Sequence, residues 1–133
     1  LVSKSSAKRG RIVESVEPVL TVKSVYRSVD WYCNFLGFTA DFLNEESGEV
    51  NSLNYAVLRN GNAGIHLGLE RDMGVLAGNG GCNFVTRQFD EMHNRAVNAN
   101  AKFHVDLGEI PSGARSFGIR DPDGNILTFV EAR

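Results

Sequence analysis

The residues with the most chemical potential are three histidines, two cysteines and a scatter of carboxylates. His66, His93 and His104 fall at no spacing that marks a metal centre. His66 lies in a run where Ile65, Leu67 and Leu69 alternate with His66, Gly68 and Glu70. In a half-buried strand the first set faces a core and the second faces outward, so His66 is the strongest candidate for a polar group in a binding cleft. Its expected role there is a hydrogen bond rather than catalysis. His104 follows Phe103 in another expected strand, and one of the two should face the same cleft. His93 borders an apolar helix stripe and reads as structural or exposed. Asp121 and Asp123 are near one another, but both suit a tight turn better than acid–base work. Asp41, Glu45, Glu46 and Glu49 surround a polar turn and read as solvated, with one of them able to attract a cationic ligand at the cleft mouth. Cys33 and Cys82 form no Cys-x-x-Cys pair and have apolar neighbours, so they read as reduced, buried thiols of a cytoplasmic protein. There is no nucleophile elbow, phosphate loop or dinucleotide fingerprint.

The elements that must position these groups show a repeat. Arg59-Asn60-Gly61 and Arg120-Asp121-Pro122-Asp123-Gly124 are both turn signals between apolar, alternating runs. Six residues after each Arg comes an Ile, Ile65 or Ile126, opening a return strand. Upstream, Val19-Leu20-Thr21-Val22 leads into a helix near Val25, and Asn83-Phe84-Val85-Thr86 leads into one near Phe89. A repeated order of strand, helix and three strands indicates a duplicated unit. Strands are expected over 17–23, 38–43, 50–59, 64–70, 81–86 and 102–106, with a last hairpin from 115. Ser24 and Gly37 cap the first helix, which buries Val25, Val29, Tyr32 and Leu36. Phe89, Met92, Ala96 and Ala99 mark the buried stripe of the second. Residues 107–114 read as a Gly/Pro-containing loop able to overhang a site.

The fold class is therefore α+β, with two βαβββ modules whose curved sheets flank a cleft. At 133 residues, half the chain is marginal for its own core, so the modules share one domain over 15–133. The modules span 15–70 and 81–133, joined by a linker at 71–80, and 1–14 is an N-terminal extension with Lys4, Lys8, Arg9 and Arg11 in or near a solvated arm. A net charge of −2 argues against a nucleic-acid binder. No apolar run approaches membrane-spanning length, and no signal-peptide core is visible.

Two motifs carry a family resemblance. Ser28-Val29-Asp30-Trp31-Tyr32-Cys33-Asn34-Phe35-Leu36-Gly37-Phe38 and Arg120-Asp121-Pro122-Asp123-Gly124-Asn125 resemble the helix and turn signatures of the glyoxalase / bleomycin resistance protein / extradiol dioxygenase superfamily, the vicinal oxygen chelate proteins. The resemblance covers about 17–131. It implies the fold strongly and the activity weakly, because this superfamily hosts many chemistries. Its metalloenzymes carry ligands at four places, where this chain has Glu17, His66, Gly81 and Thr128. The internal repeat pairs Leu67 rather than His66 with the place of Thr128, whereas strand alternation favours His66. Glu17 and His66 would be the metal ligands if a metal were present, and Glu70 or Asp106 would have to complete the set. Pro18-Val19-Leu20 matches the opening strand of the family's metal-free drug binders.

The resemblance and the poor ligand set imply a metal-independent small-molecule binder of the bleomycin resistance type, with no cofactor. The alternatives are a divalent-metal lyase or dioxygenase, and an interaction module without an enclosed pocket. Glu17, His66 and Thr128 would line the cleft, with His104 or its neighbour Phe103 and the strand aromatics Phe42, Tyr55, Phe103 and Phe117. Glu17 and Glu70 would favour a cationic portion, and the aromatics a planar one. The duplication and the family likeness imply a homodimer.

Overall fold

In the computed structural model, residues 12–47 and 52–133 are described. The basic arm at Lys4, Lys8, Arg9 and Arg11, the Gly48 end of the polar turn and the expected strand start at Val50 lie outside them. The element order is β1 (Val19–Val22), α1 (Val25–Leu36), β2 (Thr39–Glu45), β3 (Leu53–Asn60), β4 (Ala63–Leu69), α2 (Glu70–Met73), β5 (Gly81–Thr86), α3 (Phe89–Asn98), β6 (Lys102–Glu109), β7 (Arg115–Arg120) and β8 (Ile126–Glu131). Two four-stranded mixed sheets result, ordered β1-β4-β3-β2 and β5-β8-β7-β6. This is the expected α+β duplication. In each sheet the first strand pairs in parallel with the last, and the other pairings are antiparallel.

Local sequence explains the first helix. The Ser24 hydroxyl accepts from the Arg27 N–H at 3.2 Å, and Gly37 takes the left-handed conformation (φ 76°). Its N–H and that of Phe38 then reach the carbonyls of Cys33 and Tyr32, closing the helix end. Val25, Ser28, Tyr32 and Leu36 are its buried residues, so Ser28 takes the full burial expected of Val29, which is only partly covered. In α3, Phe89 and Ala96 are buried and Met92 partly so, while Ala99 ends the helix exposed.

Residues 107–114 differ from expectation. Gly108 is not a loop residue but pairs with Ser116, and β6 runs on to Glu109. What remains is a tight turn, closed by the Ile110 N–H to the Ala114 carbonyl at 2.9 Å. Two register shifts in β6 break the alternation that would have revealed the longer strand.

The core is continuous across both modules. Phe38 meets Phe84 with ring centroids 5.9 Å apart, Phe84 stacks on Phe129 at 5.2 Å, and Phe129 stacks on Phe117 at 5.1 Å. Burying each such ring contributes on the order of 2 kcal/mol. A polar latch adds to this. The Asp121-Pro122-Asp123-Gly124-Asn125 turn docks on the first module: the Tyr32 hydroxyl donates to Asp121 at 2.8 Å, and the Asn125 side chain donates to the Thr21 carbonyl at 3.1 Å. Arg27 donates to Asp123 at 2.9 Å.

Candidate functional site

On the first sheet, Leu20, Leu67 and Ala56 are buried on the helix side. The neighbouring register, Val19–His66–Val57–Phe42, therefore lies on the opposite, open face. Tyr55 pairs with Gly68 and Arg59 with Gly64, which places both side chains on that same face. Glu17, separated from β1 by Pro18, reaches over Gly64 to meet them. A side chain at Gly64 would bring a Cβ 3.0 Å from the Glu17 carboxyl carbon and into the Arg59 guanidinium. A missing Cβ is thus what lets the acid and the guanidinium meet across the strand.

The polar groups form one chain. Tyr55 Oη lies 2.6 Å from His66 Nδ1, His66 Nε2 lies 2.8 Å from Glu17 Oε1, and Arg59 donates to Glu17 Oε2 at 2.5 Å. Asp41 sits at a bulge in β2, 3.6 Å from the Arg59 guanidinium. The hydrogen bonds from Arg59, and then from His66, hold the Glu17 carboxyl below the usual carboxylate range. Desolvation pushes the Tyr55 phenol up. Around this chain the face is apolar and uncovered, with Phe42 52% and Val19 42% exposed.

The residues named from sequence fall into three places. Glu17, Phe42, Tyr55 and His66 share the open face of the first sheet. Thr128 lies on the open face of the second sheet, in the row Asn83–Thr128–Gly118–Val105. His104 also leaves the core there, accepting from Arg120 at 3.1 Å, which answers which of the 103–104 pair turns outward. Phe103 and Phe117 belong to neither face. Phe117 is fully buried, packed among Phe89, Phe103, Phe129 and the His93 ring, and Phe103 packs on the same core. Their expected place in the cleft is corrected to the space beneath α3. Alternation of Phe117 and Ile119 with Ser116 and Gly118 was the signal for this. Glu70 is turned away to accept from the Ala77 N–H at 2.8 Å.

The register question is also answered. Arg59 pairs with Gly64, but Arg120 pairs with Ile126, so the second hairpin is one residue longer. Two residues on in each return strand stand His66 and Thr128. These two are equivalent, as alternation required, and Leu67 is a core residue. Sequence reasoning missed Arg59 as a site residue because it was read only as a turn marker. Its two-residue spacing from Val57 and Tyr55 was the available signal.

A divalent cation does not suit these residues. Both His66 nitrogens and both Glu17 oxygens already have side-chain partners, and one partner is a guanidinium. The place equivalent to His66 in the second module holds a threonine. Among the described residues no group of three His, Cys, Asp or Glu side chains could hold a metal ion. A separate cavity of about 200 Å³ opens between the modules beside Phe38, Phe84, Met92 and Arg95, below the usual size of a drug-sized pocket, about 300–1,000 Å³.

The family model for the Glyoxalase/Bleomycin resistance protein/Dioxygenase superfamily matches residues 13–129. The chain belongs to this superfamily. Solved structures share the superfamily fold. A superfamily member from Sphaerobacter thermophilus is 24% identical, with a TM-score of 0.75, covering 92% of this chain and 100% of its own. A bleomycin-binding protein complexed with bleomycin is 16% identical, with a TM-score of 0.70, covering 91% and 100%. A lactoylglutathione lyase from Agrobacterium tumefaciens is 17% identical, with a TM-score of 0.71, covering 90% and 95%. No curated protein sequence matches the chain. A superfamily fold carrying Glu17 and His66 tied to Arg59 and Tyr55 has its two best ligand-type side chains bound to each other.

Proposed function

We propose that this superfamily member is a metal-independent small-molecule binder of the bleomycin resistance type. One observation carries the reading. On an otherwise apolar open face, both His66 nitrogens and both Glu17 oxygens are engaged by side-chain hydrogen bonds, within a chain running from Tyr55 to Arg59. Such a face offers a planar ligand apolar area from Phe42, Val19 and Val57, with a small fixed polar group for orientation. The second sheet supplies Thr128 and His104 on its own open face. Closing both faces into clefts calls for a second copy of the chain.

The test is calorimetry with bleomycin, the ligand of the bleomycin-binding protein that shares this fold, on protein dialysed against a chelator and on untreated protein. Equal binding in both, weakened by His66→Ala, is expected. Binding that requires restored Zn, Ni, Mn or Fe, or about one such metal per chain removed by His66→Ala, would overturn the reading in favour of a metalloenzyme.

A further inference from the structure

The cavity between the modules lies on the helix side of the sheets, and none of Glu17, Tyr55, Arg59 or His66 lines it. Its floor is aromatic. Phe38 and Phe129 are buried, and Phe84 lies between them, edge-on to the first at 5.9 Å and stacked on the second at 5.2 Å. Leu36, the last residue of α1, lines it from the first module, and Met92 of α3 lines it from the second. An occupant would therefore touch both modules at once.

Two hydrogen bonds hold the mouth open. The last carbonyls of a helix have no partners within it. Here the Asn60 amide donates to the Leu36 carbonyl at 3.1 Å, and the Arg95 guanidinium donates to the Phe35 carbonyl at 3.2 Å. A hairpin end of the first module and a helix of the second are thereby fixed to the same end of α1, with the cavity between them. Because both side chains are committed to those carbonyls, neither folds inward to fill the space.

Size and polarity restrict the occupant. The cavity holds about 200 Å³. An apolar cavity of about 150 Å³ takes up benzene, whereas drug-sized ligands need about 300 Å³ or more. The space therefore suits a single ring with a small substituent. The rings of Phe38 and Phe84 and the polarisable Met92 sulfur favour an aromatic ring over an aliphatic one. At the rim, Glu91 and Arg95 lie 3.6 Å apart, so one carboxylate offsets one guanidinium. Neither a ligand anion nor a ligand cation finds an uncompensated partner there. Asn60 spends its amide nitrogen on Leu36 and keeps its oxygen as an acceptor, while the Gln88 side chain makes no capping bond to α3. Together these two amides can accept from and donate to one neutral hydroxyl.

We propose that this cavity is a second ligand site, which takes a neutral single-ring phenol. The ring packs on Phe38, Phe84 and Met92, and the hydroxyl donates to Asn60 and accepts from Gln88. Such a molecule binds only the docked modules and so stabilises them. The site is separate from the open face and does not depend on the bleomycin-type reading.

The sequence holds two methionines, and they report on different places. Met92 lines this cavity, whereas Met73 lies over Gly68 beside Tyr55, on the open face of the first sheet. Carbon-13 NMR of methyl-labelled methionine therefore separates the two, with Met92→Leu assigning the signals. Phenol should shift the Met92 methyl saturably, with a dissociation constant of about 1 mM or below, and leave Met73 unmoved. Toluene has the ring without the hydroxyl and should act at the same methyl about tenfold more weakly, the loss expected for two such bonds. Gln88→Ala should weaken phenol about threefold and leave toluene unchanged. Ala63→Phe, at an exposed position on the mouth, should abolish the phenol response while the unfolding transition is retained. No Met92 shift with millimolar phenol, or a Met73 shift as large as that of Met92, overturns the proposal. So does toluene or benzoate binding as tightly as phenol, or unaltered phenol binding in Ala63→Phe.

Discussion

At the scale of single residues, the pair most open to measurement is Glu17 and Arg59. The Glu17 carboxyl titrates below its ordinary value of 4.5 because Arg59, and secondarily His66, stabilise the ionised form. The sign of the linkage follows. A depressed folded-state value contributes stability above pH 4.5, and that contribution is lost as pH falls through the lower, folded-state value. Carbon-13 NMR of the Glu17 carboxyl should give a midpoint below 4.5 that moves upward in Arg59→Met. A midpoint unchanged by that substitution would mean that the guanidinium does not hold the acid. His66 was legible from sequence because one face of β4 is apolar and a one-residue slip would bury it. Its partners were less legible, because Tyr55 and Arg59 come from another strand and Glu17 from the segment before β1. Only the register between strands brings the four together.

At the scale of elements, the Asp121–Asn125 turn shows how far a local reading extends. Proline, glycine and aspartates identified it as a turn, and Asp121 does accept from the Asp123 and Asn125 N–H groups at 2.9 Å each. The same residues also fasten the second module to β1 and α1, a long-range role that turn chemistry does not encode. Asn125 is fully buried, holding the Gly80 N–H at 2.9 Å as well as the Thr21 carbonyl. Tyr32→Phe deletes one buried hydrogen bond but leaves that Asp121 oxygen its contact with Asn125, so a loss of about 1–2 kcal/mol is expected. Asn125→Ala strands several buried groups and should cost about 3 kcal/mol or more. Denaturant unfolding of both variants checks the order, and an Asn125→Ala loss smaller than that of Tyr32→Phe would contradict the latch. The helix caps and β5 were legible for the opposite reason: Ser24, Gly37 and the 81–86 run are fixed by neighbours in sequence. β6 was not, because its two register shifts hide the alternation.

At the scale of the whole molecule, two properties pull in different directions. The helix side is finished: one aromatic core and one polar latch cross the module boundary, so a single cooperative unfolding transition is expected. The strand side is open. Phe42 and Val105 are each 52% exposed and Val85 is 70% exposed, on faces turned away from the helices. Each sheet also ends in edge strands, β1 and β2 in one and β5 and β6 in the other, each paired on one side only among the described residues. Exposed apolar faces with free edges favour association. A two-fold pair is the commonest closed solution, and it can set the Glu17–His66 face of one copy opposite the Thr128 face of the other, giving two equivalent clefts. Chain duplication suits this arrangement, since the two sheets share one strand order but carry different polar groups on their open faces. We therefore expect a homodimer. Light scattering at micromolar concentration should give a mass near twice the 14.6 kDa of one chain. Phe42→Glu together with Val105→Glu, both on uncovered faces, should shift the mass toward one chain and abolish ligand binding, while leaving the unfolding transition nearly unchanged. A wild-type mass near 14.6 kDa with ligand binding intact would refute the shared cleft, because a lone open face would then suffice.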